Sequence, residues 1–143
     1  MKDAVGGGLL LNLVVIFTSI IILFFVGIIA YSKAYKIKNR VIEVIERYET
    51  FDKKAVDELK VDLLRAGYRT ATNEQIRAKC GSDSLTYGVG AGFLYCVYGD
   101  NSSTTGDTFK VVTYVRFDFP VIGDLITIPV KGETKVLGKS YNY

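Results

Sequence analysis

The chain has 143 residues, which suits a single domain, and 18 basic side chains against 15 acidic ones give it a net charge of +3. It has no histidine and only two cysteines, which excludes the usual zinc sites, histidine-based catalytic triads and haem attachment motifs. The basic excess lies within residues 1–40, which hold five basic side chains against one acidic. A nucleic-acid-binding protein carries its basic patch on the folded domain, so we expect no nucleic-acid partner. We also expect no cofactor.

The first predicted element is a membrane-spanning helix over residues 9–31, LLLNLVVIFTSIIILFFVGIIAY, which carry no charge. About 20 apolar residues at 1.5 Å rise each cross a hydrocarbon core of about 30 Å. A buried core helix is the alternative, but the rest of the chain offers too little structure to wrap a helix that is apolar on every face. Gly27 and Ala30 are the small residues expected to allow close packing on other membrane helices.

Residues 1–8 form a stub or leader in front of this helix. A cleaved signal peptide has an apolar region of about 7–15 residues followed by a small-residue cleavage site. The apolar segment here is longer and runs directly into YSKAYKIKNR, so we expect it to remain as an anchor. Tyr31, Tyr35 and the lysines of this exit are typical of a membrane interface.

Helical periodicity continues beyond the membrane, and no Gly or Pro interrupts residues 28–66. The pattern predicts one helix from about Leu9 to Tyr48, whose outer half has an apolar stripe that needs a cover. A second helix is predicted over 52–66, followed by Gly67 as a left-handed cap. A third is predicted over 73–79 with Asn73 as its N-cap. The residues expected to be buried on the second helix are Leu59, Leu63 and Leu64.

Beyond residue 80 the periodicity changes to the alternation of β-strands. Strands are predicted in FLYCVYG (93–99), FKVVTYVRFDF (109–119) and LITIPV (125–130), with residues 99–107 as a polar hairpin loop. Pro120 and Pro129 indicate edge strands or bulges, and a last strand, ETKVLGKSY, is expected after a tight turn at Lys131-Gly132. The predicted fold class is α+β: a long N-terminal transmembrane and amphipathic helix, short helices, and a small antiparallel sheet of three or four strands packed on the outer half of the long helix.

Cys80 and Cys96, with 15 residues between them, are open to three interpretations. A disulfide would place the domain outside the cytoplasm, because such bonds persist in oxidising compartments. Two unrelated buried thiols and a reactive thiol are the alternatives. A metal site would need further soft or imidazole ligands, and a catalytic thiol would need a base such as histidine.

The remaining motifs do not indicate catalysis, and we expect the chain not to be an enzyme. Gly88-Val89-Gly90-Ala91-Gly92 precedes a strand instead of opening a helix, so it is predicted to be a surface loop and not a phosphate loop. Asn101-Ser102-Ser103 matches the glycosylation sequon in a predicted loop. Four carboxylates near strand ends are predicted to be solvated turn residues: Asp100, Asp107, Asp118 and Asp124.

The layout resembles that of pilins and pseudopilins: a charged stub, a glycine, an apolar helix that continues as an amphipathic one, and a small sheet. The exit YSKAYKIKNRVIEVIE and the tail VVTYVRFDFPVIGDLITIPVKGETKVL are similar to those of TadE-like minor pilins of tight-adherence systems. The resemblance implies leader cleavage after a glycine, between Gly8 and Leu9. Such a cut would place Leu13 at the fifth position of the mature helix, where the family usually has a glutamate.

The resemblance implies a single-pass structural subunit of a bacterial surface pilus or secretion apparatus, whose N-terminal helix contacts the bilayer and then other pilin-like subunits or an assembly platform. Residues 32–143 would then be extracytoplasmic. The positive-inside rule favours the opposite orientation, because Lys33, Lys36, Lys38 and Arg40 follow the apolar segment. The alternatives are a stand-alone, membrane-tethered binding module with a tyrosine-rich face, and a cytoplasmic domain tethered with its amino terminus outside.

Overall fold

The longest element is α1 (Lys2–Tyr48), one unbroken helix of 47 residues. The structure is a computed structural model, and it describes residues 2–68, 70–100, 106–116 and 127–138. At 1.5 Å per residue α1 is about 70 Å long. The predicted end at Tyr48 is confirmed, whereas the helix begins before Leu9, because extending an existing helix costs far less than nucleating one.

Two helices follow α1 at the predicted places: α2 (Lys53–Arg65) and α3 (Asn73–Cys80). The Asp52 carboxylate accepts the Ala55 N–H at 3.0 Å and so caps the start of α2. Gly67 has φ +62°, and its N–H and that of Tyr68 donate to carbonyls of the last turn, which is a Schellman cap. The predicted cap at Gly67 is therefore confirmed.

Two details of these helices differ from the prediction. Leu59 and Leu63 are buried, but Leu64 is 62% exposed, because it lies about 100° around α2 from Leu63 and faces away from α1. The N-cap of α3 is Thr72 and not Asn73: the Thr72 hydroxyl accepts the Gln75 N–H, and the Gln75 side chain accepts the Thr72 N–H. This reciprocal capping box satisfies two N–H groups where Asn73 would satisfy one.

A fourth helix, α4 (Leu85–Val89), occupies part of the glycine-rich segment that the sequence predicted to be a surface loop. Gly88 and Val89 are helical, and Gly90 and Gly92 turn the chain with φ of +62° and +74°. Ala91 between them is fully buried in the main core. The segment therefore folds as a short helix and a tight, packed turn.

The sheet consists of β1 (Tyr95–Asp100), β2 (Thr108–Arg116) and β3 (Thr127–Glu133), antiparallel and in that order. Lys131 and Gly132 lie within β3, paired with Val112 and Val111, so the predicted turn there is wrong. The chain after β3 forms only an isolated bridge between Asp107 and Leu137 in the described part, and not a full strand. Glycine at position 132 serves close packing, as described below, and does not reverse the chain.

The core lies between the outer half of α1, α2 and one face of the sheet. Alternate residues of β2 face α1, as the period of two predicted, and Val112 and Tyr114 face α3 on the other side. Large side chains with no more than 1% exposure form the centre of this core: Val41, Val44, Ile45, Val56, Leu59, Leu63, Tyr95, Val97 and Val111. The α+β class is confirmed, with the apolar stripe of α1 covered by the sheet and α2.

Tyr95 provides a test of this core. Its ring is fully buried, edge-on to Phe51 with ring centroids 6.3 Å apart, and its hydroxyl has no hydrogen-bond partner among the described residues. Burial raises the pKa of this phenol far above its usual range. Because a buried, unsatisfied hydroxyl costs free energy, we expect Tyr95→Phe to increase the free energy of unfolding by about 1 kcal/mol.

The measurement is urea unfolding of the full chain in detergent. Tyr68→Phe is the matched control, because the Tyr68 hydroxyl donates to the Leu94 carbonyl at 2.8 Å. We expect this control to lose about 1 kcal/mol, the opposite sign. A loss of stability in Tyr95→Phe would contradict the placement of its hydroxyl.

Candidate membrane anchor and its junction with the domain

The first half of α1 is the one helix in the described part of the chain that is long and apolar enough to cross a membrane. Every large apolar side chain from Leu9 to Phe25 is exposed, on all sides of the helix. The two hydroxyls of this stretch are satisfied within the helix, since Thr18 and Ser19 each donate to the carbonyl four residues earlier at 2.8 Å. The segment is thus compatible with a membrane anchor.

The folded domain contacts α1 near the end of its apolar segment, at Ala30. This residue is half-buried against Ala34, Val115 and Val130. One turn further along, the Thr113 hydroxyl of β2 donates to the Ala34 carbonyl at 3.0 Å, in a fully buried position. Ala30, which the sequence assigned to packing between membrane helices, therefore packs on the chain's own sheet. Gly27 lies one turn before it and is partly covered.

The α1 helix approaches the edge strand β3 closely at Gly132. A Cβ added there would lie 2.8 Å from Cδ of Lys38 and 2.9 Å from Cδ1 of Ile42. Both distances are shorter than van der Waals contact, so a side chain at 132 would displace the Lys38 and Ile42 side chains from their places between α1 and β3. The sequence signal for this contact was available, because glycine inside a strand often marks the close approach of another element.

We expect Gly132→Ala to lower the free energy of unfolding by about 1 to 3 kcal/mol, the usual cost of overpacking. Urea unfolding of the full chain in detergent measures it. Gly138→Ala is the matched control, because a Cβ at Gly138 meets nothing within 4 Å and its φ is negative. Equal stability of the two variants would contradict the close placement of the Lys38 and Ile42 side chains against Gly132.

The cations of the membrane exit are mostly engaged with the domain. Lys33 donates from Nζ to the Gly67 carbonyl at 2.8 Å, beyond the end of α2. Lys38 is buried, with Nζ 4.2 Å from the centre of the Tyr35 ring, and Tyr35 in turn stacks on Tyr31 with ring centroids 6.5 Å apart. The exit thus combines structural cations with an exposed aromatic pair.

Arg40 joins α1 to α2 through a network of charges. Its guanidinium lies 2.7 Å from the Asp62 carboxylate, 2.9 Å from Glu43 and 3.3 Å from Glu58. Arg47 binds Glu43 and Glu58 as well, at 2.9 and 2.7 Å. The hydrogen bond from Arg40 lowers the pKa of the Glu43 carboxyl, because it favours the charged form of that group. Part of the basic excess near the membrane is therefore neutralised by the fold.

On the other side of the sheet, a disulfide joins Cys80 at the end of α3 to Cys96 in β1, with Cα atoms 5.4 Å apart. Both residues are buried in a small apolar cluster. Two phenols satisfy carbonyls at the same helix end: Tyr98 donates to the Cys80 carbonyl at 2.8 Å, and Tyr114 to that of Lys79 at 3.1 Å. Burial raises the pKa of both phenols, which keeps these donors protonated.

The other predicted candidates do not assemble into a site. Asp107 pairs through its backbone with Leu137, at 3.0 and 2.9 Å, and Gly8 and Leu9 are helical residues of α1. No group of three or more His, Cys, Asp or Glu in the described part of the chain could hold a metal ion. Asn101-Ser102-Ser103, Asp118, Asp124 and Pro120 lie outside the described residues.

The structure combines three features: an exposed apolar helix, a junction in which the sheet packs against that helix, and a disulfide between the end of α3 and β1. These features are apolar surfaces and a covalent cross-link, and none of them is a group that would take part in catalysis. No family model, curated protein or solved structure matches this chain, so the resemblance to TadE-like minor pilins remains a prediction.

Proposed function

We propose that this chain is a single-pass, membrane-anchored structural subunit of the pilin-like kind, with its domain on the extracytoplasmic side. The observation that carries the proposal is the continuity of α1. The first half of this helix exposes its apolar side chains, and the second half packs in the domain core, with no linker between the two halves. A continuous helix holds the domain in a fixed position relative to the membrane segment. A subunit that assembles through its N-terminal helix requires this rigid connection.

The disulfide supports the extracytoplasmic orientation, because such bonds are rare in the cytoplasm. The cations at the exit count less against this orientation than their number suggests. Lys33 and Arg40 each have a partner in the folded domain, and the stem of Lys38 is buried beside Gly132 of β3, so the fold itself accounts for these three cations. The positive-inside rule explains the presence of the remaining cation, the exposed Lys36, better than the presence of the other three.

Photocrosslinking in cells tests the structural role. Benzoylphenylalanine replaces Phe17 or Phe24, both exposed on the bare half of α1, and replaces Val61 on the exposed side of α2 as a matched control. Assembly through the helix predicts protein crosslinks from positions 17 and 24, to copies of this chain or to other small membrane proteins, and few from position 61.

The opposite pattern would favour the stand-alone binding module. In that case positions 17 and 24 would crosslink to lipid alone, while sites on the domain capture a partner. Lipid crosslinks from every position on α1, without any protein product, would remove the assembly role but leave the anchor intact.

A further inference from the structure

We propose that the groove between α1 and the end of α2 binds the headgroup of an anionic phospholipid. The groove has a volume of about 580 Å³ and is lined by Ile28, Ile29, Ser32, Lys33, Lys36, Ile37 and Ala66. This proposal rests on the membrane anchor of the proposed function and identifies one partner of that anchor.

The groove has an apolar end and a polar, basic end, which correspond to the acyl chains and the headgroup of a phospholipid. Ile28 and Ile29 belong to the uncharged segment 9–31, and both are exposed. Ser32, Lys33 and Lys36 follow within the next two turns of α1. A lipid chain beside the isoleucines would therefore place its phosphate beside the hydroxyl and the two ammonium groups.

The charge of the groove favours an anion. None of the side chains that line it is acidic. The adjoining residues 63–68, LLRAGY, add Arg65 and no carboxylate. The nearest acidic residue of α2, Asp62, is paired with Arg40 at 2.7 Å. The partial negative charge at the end of α2 is offset by Lys33, which lies against the Gly67 carbonyl.

The hydrogen bond of Lys33 also positions its ammonium group. One of its three N–H donors is used by Gly67, at 2.8 Å, which leaves two for a ligand. Lys36 lies three residues later on the same face of α1 and is exposed. A lysine held at the edge of a groove, as Lys33 is, binds a phosphate better than a freely rotating one, because less side-chain entropy is lost.

The test uses the full chain reconstituted in phosphatidylcholine vesicles that contain spin-labelled phosphatidylglycerol or spin-labelled phosphatidylcholine. The ratio of the two lipids held motionally restricted by the protein measures selectivity. We expect the wild type to prefer phosphatidylglycerol, and Lys36→Gln to reduce this preference about fivefold, the effect of about one surface lysine. Lys33→Gln with Lys36→Gln should abolish it.

Lys53→Gln with Lys54→Gln is the matched control, because these exposed lysines lie at the opposite end of α2 and change the net charge equally. It should keep the preference. An unchanged preference in Lys36→Gln, or equal selectivity for both lipids in the wild type, would overturn the headgroup site. Abolition of the preference by inorganic phosphate in the buffer would identify a soluble anion as the ligand and would also overturn it.

Failure of the anchor gives a different result. If residues 9–31 do not enter the bilayer, neither lipid is motionally restricted, whatever its headgroup. Restriction of both lipids without selectivity therefore removes the headgroup site alone, and the absence of any restriction removes the anchor with it.

Discussion

Replacing Cys80 and Cys96 together by alanine is expected to lower the free energy of unfolding of the domain by about 3 kcal/mol. The bond closes a loop of 15 residues, and opening it returns chain entropy to the unfolded state. The loop spans α4 and the glycine turn, so these elements should be affected first. The measurement is urea unfolding of the full chain in detergent, followed by near-ultraviolet circular dichroism of the tyrosines, because the chain has no tryptophan.

The control for this prediction is Ser82→Ala. Ser82 is exposed and lies two residues from Cys80, within the same loop. It should change the stability by less than about 0.5 kcal/mol. Reduction of the wild type should reproduce the loss seen in the double variant. If the oxidised wild type and the double variant unfold at the same urea concentration, the bond has no part in the stability of the fold.

The second large effect is expected at Leu63. This side chain is 1% exposed in the core between α1, α2 and the sheet, and Leu63→Ala should cost about 2 to 5 kcal/mol. Leu64→Ala removes the same atoms one residue later, where the side chain is 62% exposed, and should cost less than about 0.5 kcal/mol. The same urea titration measures both. Similar losses in the two variants would mean that α2 is rotated relative to the arrangement described.

The elements with a long, regular pattern could be predicted from the sequence. The stripe that includes Ile37, Val41 and Ile45 recurs at helical spacing over three turns, and it identified both α1 and the face that the sheet covers. Alternation along β2 identified its two faces in the same way. The position of Gly67 was predictable because the helical pattern stops there and glycine tolerates a positive φ.

The errors arose where one residue type serves two purposes. Glycine at 132 predicts a turn, but it lies inside β3, where the Lys38 and Ile42 side chains of α1 approach it closely. Glycine is typical of both situations, and only the pairing of the strand distinguishes them. The apolar side chain of Leu64 predicts burial, but its angle on α2 leaves it exposed. Asn73 is a favourable N-cap residue by type, whereas Thr72 is the cap because it forms the reciprocal bond with Gln75.

The junction could be predicted only in outline. The aromatic and basic composition of the membrane exit was apparent from the sequence, but the partners of its cations were not. Lys33 meets Gly67 from 34 positions away, and Thr113 reaches the Ala34 carbonyl across 79. Such pairings depend on how the sheet lies on the helix. The number of cations at the membrane exit is therefore a weaker guide to orientation than the sequence suggests, since most of these cations have a role in the fold.

The proposed function requires a domain that is both disulfide-bonded and extracytoplasmic, and trapping the thiols of whole cells tests these two linked properties. Cells are quenched in acid, and the denatured chain is treated with a maleimide that adds mass, with or without prior reduction. We predict no label without reduction and two labels after it, on Cys80 and Cys96. Two labels without reduction would show free thiols in a reducing compartment and would contradict the proposed orientation.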